Sequence, residues 1–224
     1  MKIALAVILC ALAALASGRA QALPSPLPSP ALATGIFVVR PDPRECPSPL
    51  CGGYWVSLAN HARTRCSDGL LRPRCYAAGA VDAGTGRETQ APVNGLARGT
   101  LAARQFGGFG QLGVLDIAAS WEPGGEDLAV GDFFRLRDTG VRCIRAPCFS
   151  FRAVRLNQQG PAVRISSVDL TSALDVPPVT QRRARAALES RDGLLAAGTL
   201  ARTSDGGRVV RVTEVYFKAP PPRA

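Results

Sequence analysis

A mostly β fold (α+β) of two tandem, repeat-related modules is what this sequence predicts, and three observations predict it. A stretch of sequence recurs, the cysteines fall in pairs, and short apolar runs alternate with clusters of turn formers. Residues 37 to 60 align without a gap to residues 134 to 157, placing Phe37 on Phe134, Arg40 on Arg137, Cys46 on Cys143, Cys51 on Cys148 and Asn60 on Asn157 at an offset of 97. Further matches keep the same order: Val81 and Asp82 with Val168 and Asp169, Gly99 to Ala102 with Gly198 to Ala201, and Gly110 to Pro123 with Gly207 to Pro220. Ordered short matches with small shifts are the signature of an old duplication.

The N-terminus reads as an export signal. Lys2 precedes the apolar run IALAVILCALAALA, and Ala20, Gln21 and Ala22 give a small-x-small cleavage site. A membrane anchor needs about 20 apolar residues, and this run stops short at Ser17, Gly18 and Arg19. Residues 1–22 are therefore expected to be a signal peptide, with no membrane span and a periplasmic or extracellular product. The stretch LPSPLPSP makes residues 23–34 a spacer of polyproline character. The modules are expected over residues 35–125 and 131–219, and 220–224 is a proline-rich tail.

Each module reads as about five strands. β-branched and aromatic runs mark first strands at Ile36 to Arg40 and Phe133 to Arg137, second strands at Tyr54 to Leu58 and Phe151 to Leu156, and third strands at Tyr76 to Val81 and Val163 to Val168. Two more strands close each module: Leu101 to Arg104 with Leu112 to Trp121, and Leu194 to Arg202 with Val209 to Phe217. Glycines at 107, 108, 110, 206 and 207 suit the hairpins between them. Residues 180 to 190 predict a short helix in the second module, with Thr180 as cap and Ala184, Ala187 and Leu188 on one face. The first module has GTGRETQAPVNG there instead, and its helix is expected to be vestigial or absent. Three strands, a helix and two strands is the order of an OB-like barrel.

Once Cys10 leaves with the signal, six cysteines remain, an even number in an exported chain, which reads as a disulfide framework. The second module holds only Cys143 and Cys148, so self-contained modules pair those two. Correspondence then pairs Cys46 with Cys51 and leaves Cys66 for Cys75. On the loop-entropy model a six-residue ring contributes roughly 2 kcal/mol and a ten-residue ring roughly 2.7 kcal/mol. The C-x4-C and C-x8-C spacings match zinc knuckles poorly, and redox pairs are usually C-x-x-C. No metal and no cofactor is expected.

The formal net charge is +10, and the sequence pI is near 10. The arginines are scattered, so the charge reads as a basic surface, and export disfavours nucleic acid as a partner. His61 is the only histidine, so imidazole chemistry would rest on it alone. Asp82 and Asp169 sit at strand ends and suit turns. The glycines at 107 to 110 lack the spacing of a phosphate loop. Arg182, Arg183 and Arg185 crowd the start of the helix, where the dipole disfavours them. No catalytic residue is assigned.

Two features point to binding instead. Tyr54 and Trp55 form an aromatic pair beside the first cysteine ring, and Cys143 to Cys148 closes a rigid loop presenting Arg145. The run RPDPRECPSPLCGGYWVSLAN, followed by RCYAAGAVD and VRCIRAPCFSFRAVRLN, resembles a family of exported bacterial proteins known only as a domain of unknown function. The resemblance covers most of residues 36 to 217 and implies no activity, ligand or catalytic residue. The expected role is a non-enzymatic binding component of the bacterial envelope or secretome, its partner a protein or other envelope component. The alternatives are a secreted hydrolase with a dispersed carboxylate or His61 site, and a protease inhibitor using the Cys143 to Cys148 ring.

Overall fold

Runs such as Ile36-Phe37-Val38-Val39 are apolar at every position rather than every second one, which requires a strand buried on both faces. A computed structural model, describing residues 32–125, 128–171 and 177–220, supplies both faces. Strand β1 (Ala33–Pro41) turns Phe37 and Val39 into one apolar cluster and Ile36 and Val38 into another. The chain continues through β2 (Tyr54–Leu58), the small hairpin β3 (Thr64–Arg65) and β4 (Leu71–Arg72), and β5 (Cys75–Asp82). A two-residue β6 (Glu88–Thr89) precedes the long pair β7 (Leu96–Gln105) and β8 (Gln111–Pro123). Antiparallel pairings join β1 to β2, β2 to β5, β7 to β1 and β8 to β7, and the parallel pairing of β5 with β8 closes a five-stranded mixed barrel. Phe37, Val39, Val56, Leu101 and Leu115 fill it.

The sheet does not end there. Strand β8 also pairs with β14 (Arg208–Lys218), setting Trp121 opposite Lys218 and Pro123 opposite Tyr216. From β14 the sheet runs on through β13 (Leu194–Arg202), β9 (Asp132–Asp138), β10 (Phe151–Arg155) and β11 (Val163–Ile165). It curls back on itself where β12 (Ser167–Asp169) lies parallel to β14. Ser166, between β11 and β12, keeps the contact: its N–H donates to Arg208 O at 2.8 Å and its Oγ accepts from Arg208 N at 3.0 Å. Among the described residues twelve strands thus share one sheet, with β3 and β4 apart.

Among the described residues one α-helix, α1 (Pro178–Glu189), covers the second half. Ala184 and Leu188, one turn apart, are its buried residues and pack with Phe134, Leu136 and Leu194. Its start corrects the sequence reading. Thr180 lies inside the helix, which begins at Pro178 with extended Pro177 before it and no side-chain cap. Proline suits the first helical position because its missing N–H would have no partner there. The described residues 83 to 95 hold no helix.

Both Gly99 and Gly198 stand where strand register shifts, at the bulges Arg98/Gly99 and Ala197/Gly198. A Cβ at Gly99 would strike the Asp116 carbonyl, and one at Gly198 the Arg211 carbonyl. That close backbone approach is the reason for glycine at the head of each GTLA segment. A third apolar cluster draws on both halves: Ile36, Ala59 and Leu96 from the first, Leu156, Leu195, Ala197 and Tyr216 from the second.

Candidate binding surfaces

The three disulfides join Cys46 to Cys51, Cys66 to Cys75 and Cys143 to Cys148, with Cα separations of 5.4, 5.3 and 5.5 Å, ordinary values for the bond. The two six-residue rings sit at matching places, between β1 and β2 and between β9 and β10. Their surroundings differ.

The first ring is fastened to its barrel. Asp42, whose side chain is wholly buried, accepts from Arg44 Nε at 2.9 and 3.0 Å and from Nη2 at 2.9 Å, and also from Trp55 Nε1 at 3.1 Å. Arg44 lies 5.0 Å from the ring centroids of both Trp55 and Tyr76 and donates to Leu50 O at 2.9 Å. Tyr76 OH donates to Pro49 O at 2.8 Å. A guanidinium lying over two aromatic rings and paired with a carboxylate combines cation–π attraction with charge-assisted hydrogen bonds. The hydrogen bond from Arg44 holds the Asp42 carboxyl below the usual carboxylate range against its burial, and burial pushes the Tyr76 phenol up.

The second ring stands away from the sheet. Ile144 is fully exposed, at 104 % relative accessibility, and Arg145 is exposed beside it. Only the base of the loop is tied down. Arg142 reaches both oxygens of Asp138, at 3.0 and 2.9 Å, and Thr139 Oγ1 donates to Ser150 O at 2.7 Å. The hydrogen bond from Arg142 lowers the Asp138 carboxyl in turn.

Between the halves, two asparagines make reciprocal locks. Asn60 Oδ1 accepts from Phe133 N at 2.7 Å while its Nδ2 donates to Phe133 O at 2.7 Å and Leu156 O at 3.0 Å. Asn157 Oδ1 accepts from Ile36 N at 2.8 Å while its Nδ2 donates to Ile36 O at 2.7 Å and Ala59 O at 3.0 Å. Both adopt left-handed backbone, φ 61° and 56°, a conformation asparagine tolerates better than most residues. His61 belongs to this junction, its Nε2 meeting Asn157 O at 3.0 Å. Close by, a groove of about 250 Å³ is lined by Arg98, Trp121, Arg135, Asp192, Tyr216 and Lys218, among others.

The remaining sequence candidates fall into local structure. Tyr54 is half-buried against the barrel core, its hydroxyl accepting from Ala91 N at 3.2 Å. Trp55 is engaged with Asp42 and Arg44. Asp82 accepts from Gly84, Thr85 N and Thr85 Oγ1, and the Thr85 hydroxyl lowers its carboxyl. Asp169 accepts from Thr171. Gly107 to Phe109 form one 3₁₀ turn between β7 and β8. Arg183 of α1 lies 4.0 Å over the Phe217 ring. Among the described residues no three His, Cys, Asp or Glu side chains gather in a metal-holding group, and no helix is long and apolar enough to cross a membrane.

Sequence reading missed Asp42, Arg44 and the two asparagines as structural devices. The signal for the asparagines was present in the alignment of Asn60 with Asn157. For Arg44 none was, because its partners come from three separate segments.

Curated proteins and solved structures yield no match to the chain. The sequence profile of DUF6748, a domain of unknown function, matches residues 35–218, from the first strand of the barrel to the end of β14. That span takes in both rings, both asparagines and the junction between them, and the chain belongs to this family.

Proposed function

We propose that this is an exported, non-enzymatic binding protein that presents the Cys143–Cys148 ring to a protein or other component of the bacterial envelope. The observation that carries the reading is Ile144, an apolar side chain left entirely in solvent on a covalently closed loop. A closed loop loses little conformational entropy on binding, so a preformed apolar tip is an inexpensive anchor. The three disulfides are consistent with export, and the signal reading predicts a mature N-terminus at Leu23.

The same reading takes the chain as a duplicated unit. Its support is the matching set of contacts at an offset of 97: Ile36 and Phe133, Ala59 and Leu156, and Asn60 and Asn157 play equivalent parts. The first barrel's pairing order, β1, β2, β5, β8, β7 and back to β1, is the order expected of an OB-type barrel.

A photo-crosslinking residue at position 144, tested in the envelope of the source bacterium, should trap one predominant partner, and the same residue at Leu50 on the docked ring should not. Equal labelling from both positions, or none from either, removes the reading. Exposed Arg145 in the ring also supports protease inhibition, since a rigid loop offering one basic side chain suits the pocket of a trypsin-like enzyme. Inhibition of trypsin that disappears in Arg145→Ala is the expected result of that second reading.

A further inference from the structure

Three arginines stand side by side on the outer face of the second half. Arg137 of β9 is directly opposite Arg152 of β10, and Arg152 is directly opposite Arg164 of β11. Alternation fixes which way they point: Leu136, Ala153 and Ile165 face the core, so their neighbours Arg137, Arg152 and Arg164 face outward. All three are exposed, and no described carboxylate pairs with any of them. Neighbouring strands are about 4.8 Å apart, and like charges directly opposite one another destabilise a sheet. Arg135, two residues along β9 from Arg137, carries the same face into the junction groove beside Arg98 and Lys218. Asp192 is the acidic residue lining that groove.

We infer that the outer face of β9, β10 and β11 binds a linear acidic polysaccharide, its carboxylate or sulfate groups seated along Arg137, Arg152 and Arg164. This site is separate from the Cys143–Cys148 tip and stands whether or not the ring binds a partner. The row supplies charge at strand spacing, which a polymer with repeating anionic groups matches and a single small anion does not. The outward positions directly beside the row, Arg135 and Val154, offer no aromatic face for base stacking; Trp121 and Tyr216 lie in the groove beyond Arg135.

The experiment uses the full oxidised protein and two probes, heparin and polygalacturonate, followed by titration calorimetry across a salt series. Wild type should bind both polymers, and free galacturonic acid at the same carboxylate concentration should not compete. The triple variant R137Q/R152Q/R164Q should bind at least tenfold more weakly. Its salt slope should fall by roughly 2, on the scale of about 0.7 to 0.9 per anionic contact known for nucleic acids. The charge-matched variant R87Q/R202Q/R208Q should retain wild-type binding. A second readout separates binding from structure: Arg152→Gln alone should raise the thermal midpoint by relieving repulsion, while shrinking the midpoint gain that polymer gives. Equal weakening in the charge-matched variant, no binding by wild type, or tighter binding of single-stranded DNA of equal charge would each overturn the assignment.

Discussion

The row Arg40, Trp55 and Tyr76 in the first barrel occupies the same pairing positions, strand for strand, as Arg137, Arg152 and Arg164 in the second half. In the first, Arg44 folds onto the aromatics, Asp42 neutralises it, and the cysteine ring comes down with it. In the second, arginine stands at the positions of Trp55 and Tyr76, and Ile144 and Arg145 of the ring are exposed. The first half thus ties its ring to the sheet through Arg44 and Asp42, whereas the second places two arginines where the first has Trp55 and Tyr76.

The sharpest way to break this comparison is to remove the first platform. Trp55→Ala should cost about 3 kcal/mol, the low end for a large aromatic because Trp55 is half-buried, whereas Arg152→Ala at the matching position should cost nothing or stabilise. Denaturant unfolding of the two variants decides it, and equal losses would show that the platform does not set the difference.

Next in size are the junction locks. Asn60→Leu and Asn157→Leu should each cost about 2 kcal/mol, because each leaves backbone groups of the other half without partners. Similar losses from the two sites are expected from their matching bonds, and a loss from only one would break the equivalence.

Reduction should separate the rings kinetically. With disulfides opened, the first loop keeps Asp42 and Arg44 while the second keeps only its base, so limited trypsin digestion should cut at Arg142 or Arg145 well before Arg44. Mass spectrometry of early fragments reads this directly, and first cleavage after Arg44 would contradict it.

The smallest effect is on pH. The Asp42 carboxyl is depressed in the folded protein, so its stabilisation is complete above the unfolded value of about 3.9 and disappears as pH falls through the lower folded value. Asp42→Asn should flatten that part of the stability profile below about pH 4. Asp138, depressed by Arg142 at the base of an open loop, should give a weaker effect of about 0 to 1 kcal/mol, the range of exposed pairs.

Much of the fold was legible because it rests on short-range signals. The strand runs, the glycine hairpins and the cysteine pairs depend on residues close in sequence, and α1 was found within two residues at its start. Strands β3, β4 and β6 escaped notice because two residues each carry too little alternation to register.

The candidate surfaces were only half legible. Tyr54 and Trp55 stood out as aromatics, yet their burial depends on Arg44, Ala91 and the barrel core, which reach them through folding. Arg137, Arg152 and Arg164 looked like scattered charge, since 12 to 15 residues separate each from the next.

The sequence by itself determined the mostly β character and the ring pairings, because each follows from local periodicity or from direct comparison of segments. Tertiary structure alone decided which ring is anchored along its length and which only at its base, that a third apolar cluster joins the halves, and that three distant arginines form one row. Those outcomes depend on cross-strand register, which brings residues to about 5 Å without regard to their separation along the chain.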